Sequence, residues 1–166
     1  MKLASSILLA SIAQSLACDL PGCDHPDTGS CGNACCSLSY TIDLSPEDVM
    51  LKINATVTSG GPDSLYKSPL TADGNQGFDD LRQYEIDSQF IGQAKHNTIN
   101  GLYTDSINFN IEKGDGGSGT RVHAFSISEI AGALGDHGQN HWNIVQLMDS
   151  MGFEEYSHLD GSCPEP

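Results

Sequence analysis

The stretch that decides the fold runs from Asp105 to Ser128 and reads DSINFNIEKGDGGSGTRVHAFSIS. Ile107, Phe109 and Ile111 alternate with Asn108, Asn110 and Glu112. A period of two sends successive side chains to opposite faces of a strand, so this segment is half apolar and half polar by face. The run from Gly114 to Gly119 allows a tight reversal, and Thr120 to Ser128 returns as the partner strand. The two strands predict an antiparallel hairpin.

Upstream, Ser37 to Asp43 alternates Leu38, Tyr40 and Ile42 against Ser39, Thr41 and Asp43, again the pattern of a strand. A helix is predicted from Ser45. Its hydroxyl suits the N-cap, Pro46 suits the first helical position, and Asp48 stands three residues on as in a capping box. Val49, Ile53 and Val57 recur on one face before Gly60-Gly61-Pro62 ends the segment. Further strands are predicted around Leu65 to Ser68, Leu81 to Ile86 and Gln93 to Ile99. A last helix is predicted over about Gln139 to Met151, with Trp142, Val145 and Met148 along one stripe, Ile144 and Met151 beside it, and Gly152 as its cap. Strand, helix, five strands, helix is the order of a single α+β domain, an antiparallel β-sheet packed on one face by an N-terminal and a C-terminal helix.

At the start of the chain, Lys2 precedes an uncharged stretch rich in Leu, Ile, Ala and Ser that ends at Ala17, the pattern of a signal peptide over residues 1–17. Ser15 and Ala17 place small residues three and one positions before Cys18, where cleavage is expected. Lipidation of Cys18 ranks second, because Ser15 replaces the Leu that usually precedes a lipidated cysteine. No other stretch reaches the ~20 apolar residues that cross a bilayer, so the processed chain is expected to be soluble and secreted or otherwise extracytoplasmic. Removing 17 of 166 residues leaves 149, enough for one domain with its own core. Six basic residues then face 22 acidic ones, a formal charge of −16. Such a surface repels phosphate and excludes nucleic acid as a partner.

Cys18, Cys23, Cys31, Cys35 and Cys36 crowd into residues 18–36, a Gly-, Pro- and Asp-rich cap ahead of a globular domain over 37–153. Cys163 stands apart in the tail, 154–166. Six cysteines in a secreted chain predict three disulfides. Adjacent Cys35 and Cys36 reach disulfide geometry with each other only under strain. Cys163 has only the cluster to pair with, which ties the tail back to the cap. A zinc site using His25 among these cysteines lacks paired C-x2-C knuckles, and the secretory route favours oxidation.

Ser126-x-Ser128 followed by Asp136-x-Gly138-x-Asn140 and a helix resembles an uncharacterised domain family, number fourteen ninety-nine among domains of unknown function. In that family a strand ending in Ser-x-Ser is likewise followed by Asp-x-Gly-x-Asn and a helix. The likeness covers Asp105 to Ile144, about a quarter of the chain. It implies no known reaction, and of the arginines frequent in that segment of the family this chain keeps only Arg121. The order of elements from Ser37 to Val57, with the sheet and closing helix after it, also resembles helix-grip lipid-transfer and polyketide-cyclase domains. That likeness implies an apolar cavity under a curved sheet.

Ser126, Ser128, Asp136, Asn140 and Trp142 are accordingly the candidate ligand-binding residues. The loop from Gly132 to Asn140, with Gly132, Gly135 and Gly138 ahead of a helix, has N–H groups to offer an anion but lacks the Lys and glycine pattern of phosphate loops. Asp136 capping the helix, with Gln139 completing a box, is the preferred account. His123, His137, His141 and Asp136 suggest a metal site through an i, i+4 histidine pair. The Glu of a metalloprotease helix is absent, since Gly138 follows His137, and two exposed histidines are the preferred account. There is no Gly-x-Ser-x-Gly elbow and the cysteines are expected to be oxidised, so no catalytic residue is assigned. Asp73, Asn75 and Asp79 give residues 73–80 a calcium-loop character, short of an EF-hand because Gly77 falls one position early and Tyr84 stands where Glu would close the loop. Asn54-Ala55-Thr56 is a glycosylation acceptor. The chain is thus expected to be a secreted, non-enzymatic domain without a cofactor that binds a small apolar, lipid-like ligand or a protein partner. A hydrolase or cyclase-like enzyme using Asp136, His137 and Ser128, and a structural extracellular protein, are the alternatives.

Overall fold

The computed structural model describes residues 34–69, 77–129, 135–158 and 163. Residues 1–17, Cys18, Cys23, Cys31, His25, Asp73, Asn75 and Gly132 lie outside the described residues. The chain forms β1 (Cys35–Ile42), α1 (Pro46–Thr58), β2 (Tyr66–Lys67), β3 (Phe78–Asp80), β4 (Ser88–Asn97), β5 (Thr104–Lys113), β6 (Thr120–Ser128), α2 (Gln139–Asp149) and β7 (Tyr156–His158). All strands join one antiparallel sheet in the order β2-β4-β5-β6-β1-β7, with β3 also on the edge of β4.

At its centre stands the hairpin of β5 and β6, in a register that pairs Ile107 with Ser126, Phe109 with Ala124 and Ile111 with Val122. Its turn closes where the Gly114 N–H donates to the Gly119 carbonyl at 3.0 Å. Gly119 has φ +67, and a Cβ there would lie 2.7 Å from the Ile42 carbonyl oxygen, so both backbone conformation and space require glycine. Ser45 caps α1, accepting the Asp48 N–H at 3.1 Å, with Pro46 in the first turn. Val49, Ile53 and Val57 on α1, and Ile144, Leu147 and Met148 on α2, share one core with Leu38, Ile107, Phe109 and Val122 of the sheet. Each fully buried aliphatic side chain contributes ~1.5–3 kcal/mol relative to exposure, so packing on the sheet rather than intrinsic propensity holds the two short helices. Among the described residues no helix is long and apolar enough to cross a membrane.

Three expectations are corrected. Leu81 to Ile86 is not a strand: Arg82–Tyr84 is a 3-10 turn, and the strand lies just before it in β3. The Asp80 carboxylate accepts the Arg82 N–H at 3.0 Å and its guanidinium at 2.6 Å, which folds the backbone into the turn and leaves Tyr84 and Ile86 exposed. Trp142 is not on the buried stripe of α2 and is 43% exposed. The buried face runs through Asn140, Asn143, Ile144, Leu147 and Met148, so its first turn is polar. The sheet also gains β7 beyond α2, where Tyr156 pairs with Tyr40 and His158 with Leu38.

Cys36 is bonded to Cys163 across 127 residues, which fastens β1 to the end of the chain. Cys35 is disulfide-bonded as well, and no cysteine among the described residues is free.

Candidate functional site

The inward face of β6 changes character along its length, from Val122 and Ala124 to Ser126 and then Ser128. Opposite Ser128 in the register stands Asp105, at the start of β5 and 2% exposed. The first turn of α2 lays Asn140 and Asn143, both fully buried, on this same end of the sheet. Buried polar groups have to find partners, and here they find one another.

Ser126 donates to Asn140 Oδ1 at 2.6 Å. Asn140 Nδ2 faces the Ala34 carbonyl at 2.9 Å, Asp136 Oδ2 at 2.6 Å and Ser128 Oγ at 3.1 Å. It has two protons, so three acceptors share them. Ser128 donates to Asp105 Oδ1 at 2.7 Å, and Asn143 Nδ2 donates to Asp105 Oδ2 at 2.7 Å. Tyr66 donates its phenol proton to the Asn143 carbonyl at 2.7 Å. The result is a polar clamp joining Ala34, just ahead of β1, with β5, β6 and α2.

Asp136 fixes the entry to α2. Its Oδ1 accepts the Gly138 N–H at 3.1 Å and its Oδ2 the Asn140 N–H at 2.8 Å, satisfying donors that a helix start leaves open. A carboxylate at this end also complements the helix dipole. The reciprocal half of a capping box is absent, because the Gln139 side chain donates forward to Asn143 Oδ1 at 2.7 Å. His137 and Gly138 take left-handed backbone conformations, with φ of 52 and 78.

Beside the clamp lies a cleft of about 370 Å³ lined by Thr98, Tyr103, Asp105, Ser128, Gly135, Asp136, His137 and Gln139. One wall is the turn between β4 and β5, closed by the Thr98 N–H on the Tyr103 carbonyl at 3.0 Å and by Asn100 Oδ1, which accepts the Leu102 N–H at 3.0 Å. This turn exposes Ile99, Leu102 and Tyr103. The opposite wall is the loop into α2. Among the described residues no cation pairs with Asp105 or Asp136.

Of the residues singled out from the sequence, Ser126, Ser128, Asp136 and Asn140 meet in the clamp. Trp142 lies apart from it, edge-on to His141 with ring centroids 5.3 Å apart. The histidines do not form a metal site together. His137 precedes α2 and lines the cleft, so it shares no helical face with His141. His123 faces Glu112 at 3.7 Å from the outer side of the hairpin. His141 is buried rather than exposed, with Nδ1 3.8 Å from Cys36 Sγ. Burial first, and then the neighbouring His158, hold its pKa below the ordinary histidine range. Asp79 lies on β3, and Asn54 lies on α1 with its Oδ1 buried.

Asp105, Asn143, Tyr66 and Tyr103 are the participants that sequence reasoning missed. Two of them had a signal: Asp105 is two residues before Ile107 and so shares its face, and Asn143 is three after Asn140 on a helix. No protein-family model, curated protein or solved structure matches the chain.

Proposed function

We propose that this chain is a secreted binding domain rather than an enzyme, and that the cleft between the β4–β5 turn and the α2 loop takes a small ligand. In support, every side chain of the clamp bordering the cleft is held by partners inside the fold, which makes a preorganised wall at low entropic cost to binding. Ser128 gives its proton to Asp105, a carboxylate whose other oxygen already accepts from Asn143, and no imidazole bonds to Ser128 among the described residues. A serine so placed is not an activated nucleophile.

The ligand we infer has an apolar body for Tyr103 and hydrogen-bonding groups for Gln139 and His137. The space between sheet and helices is occupied by Leu38, Ile53, Ile107, Ile144 and Leu147, all fully buried, which favours the cleft over an interior lipid cavity. Membership of domain family fourteen ninety-nine remains part of this proposal, carried by Ser126, Ser128, Asp136, Gly138 and Asn140. A thermal-shift screen of the oxidised protein against a small-molecule library tests it. Compounds that raise Tm for the native protein and fail to do so for Tyr103→Ala are expected; a screen without such compounds overturns the proposal.

The hydrolase-like alternative draws on one observation, that Ser128, Asp136 and His137 border the same cleft. It requires a measurable turnover that Ser128→Ala abolishes without unfolding the protein.

A further inference from the structure

The disulfide between β1 and the tail has an imidazole beside it that the cleft does not use. His141 is 6% exposed, and one of its ring nitrogens and the sulfurs of Cys36 and Cys163 all lie within 4.8 Å of one another. Its ring is sandwiched into place, stacked on His158 at 5.5 Å and met edge-on by Trp142 at 5.3 Å. A tetrahedral zinc ion has Zn–S bonds of about 2.3 Å and Zn–N bonds of about 2.0–2.1 Å, which sets a sulfur–nitrogen edge of about 3.5 Å and a sulfur–sulfur edge of about 3.8 Å. The sulfur–nitrogen edge from Cys36 to His141 is already 3.8 Å. While the disulfide is intact both sulfurs are joined to each other, and only cutting that bond frees them as two thiolate ligands.

We propose that Cys36, Cys163 and His141 form a thiol-dependent metal site, closed while the disulfide is intact and able to take one Zn²⁺ once it is reduced. A dithiol supplies two electrons and two protons. The Sγ–Sγ bond breaks to two thiols as the dithiol closes to its own disulfide. Zn²⁺ then displaces both thiol protons and binds two thiolates and the imidazole nitrogen, with water in the fourth position. Residues 127 apart in sequence thereby have two alternative fastenings, covalent when oxidised and metal-bridged when reduced.

The test uses the full protein in oxidised form and in anaerobically reduced form, with Co²⁺ as probe and Zn²⁺ as competitor. Reduction opens every bridge, so a variant carrying Cys18→Ser, Cys23→Ser, Cys31→Ser and Cys35→Ser leaves only the pair in question. The reduced variant is expected to bind one Co²⁺ with a thiolate-to-cobalt charge-transfer band that Zn²⁺ removes, and the oxidised protein to show none. His141→Asn in that background is expected to weaken binding roughly tenfold or more, the scale on which even outer-shell partners act. Absence of the band after reduction, equal binding by the oxidised protein, or unchanged affinity in His141→Asn overturns the proposal. Should the serine variant fail to fold, the reduced native chain is compared with its own His141→Asn and Cys163→Ser forms. Weaker binding by both supports the site, and equal binding by all three overturns it.

Discussion

Replacing Asn140 by Ala removes the side chain on which the helix cap, β6 and the backbone ahead of β1 converge. Oδ1 accepts one bond, from Ser126, and the two Nδ2 protons serve Ala34, Asp136 and Ser128. Truncation leaves the fully buried Ser126 hydroxyl without that acceptor and Asp136 short of one charge-assisted bond, while the Ala34 carbonyl keeps the Ser128 N–H at 3.1 Å. An orphaned buried group costs ~1–3 kcal/mol and a bond to a charged group is worth ~1.5–3 kcal/mol, so a loss of roughly 3–5 kcal/mol is expected. That is a large share of the ~5–15 kcal/mol of a typical domain. The cap itself should survive, because Asp136 keeps the backbone N–H groups of Gly138 and residue 140. Urea unfolding of the oxidised protein measures the effect as a midpoint lowered by about 1 M or more at unchanged slope. A loss under ~1 kcal/mol would refute the clamp as a stabilising unit. So would simple additivity with Ser126→Ala, because partners in one network are expected to couple by ~0.5–3 kcal/mol.

Two tyrosines should respond oppositely to loss of their hydroxyls. Tyr40 is buried and its phenol oxygen has no partner among the described residues, so Tyr40→Phe is expected to leave stability unchanged or raise it, whereas Tyr66→Phe forfeits the bond to Asn143 and should cost ~1 kcal/mol in the same urea assay. Burial raises both phenol pKa values, with Asp149 and Tyr156 adding to the effect at Tyr40 and Asp63 at Tyr66. Above the ordinary value near pH 10 the unfolded chain therefore releases protons that the fold retains, and stability should fall as pH rises further. Tyrosinate absorbance should show a late step that coincides with unfolding and shrinks in each Phe variant. Cys163→Ser reopens a closure of 127 residues and is expected to lower stability by ~4–5 kcal/mol on the chain-entropy account, read from the unfolding midpoint.

Elements whose local chemistry agrees with their tertiary role were legible in the sequence. The hairpin of β5 and β6 announces itself by alternation and a glycine turn, and α1 by Ser45, Pro46 and a stripe that packs where it points. The pairing of Cys163 with the cysteine cluster followed from there being nowhere else for it to go, and Cys36 is the partner. α2 misled because its buried face starts with Asn140 and Asn143, so hydrophobic periodicity alone pulled Trp142 inward. Leu81 to Ile86 misled for the converse reason: its apolar residues Leu81, Tyr84 and Ile86 lie on a surface segment that Asp80 and Arg82 have folded into a turn. Tyr103 reaches the cleft only because the β4–β5 turn stands opposite the α2 loop. His141 meets Cys36 across 105 residues. Neither juxtaposition leaves a mark on local sequence.

The central claim, that the cleft beside the clamp holds a ligand, is tested most directly by native mass spectrometry of the oxidised protein purified from its own source. An additional mass that disappears on denaturation, and that is missing from Tyr103→Ala produced in the same host, is the predicted result. A bare polypeptide mass, or an additional mass retained in full by Tyr103→Ala, would contradict it.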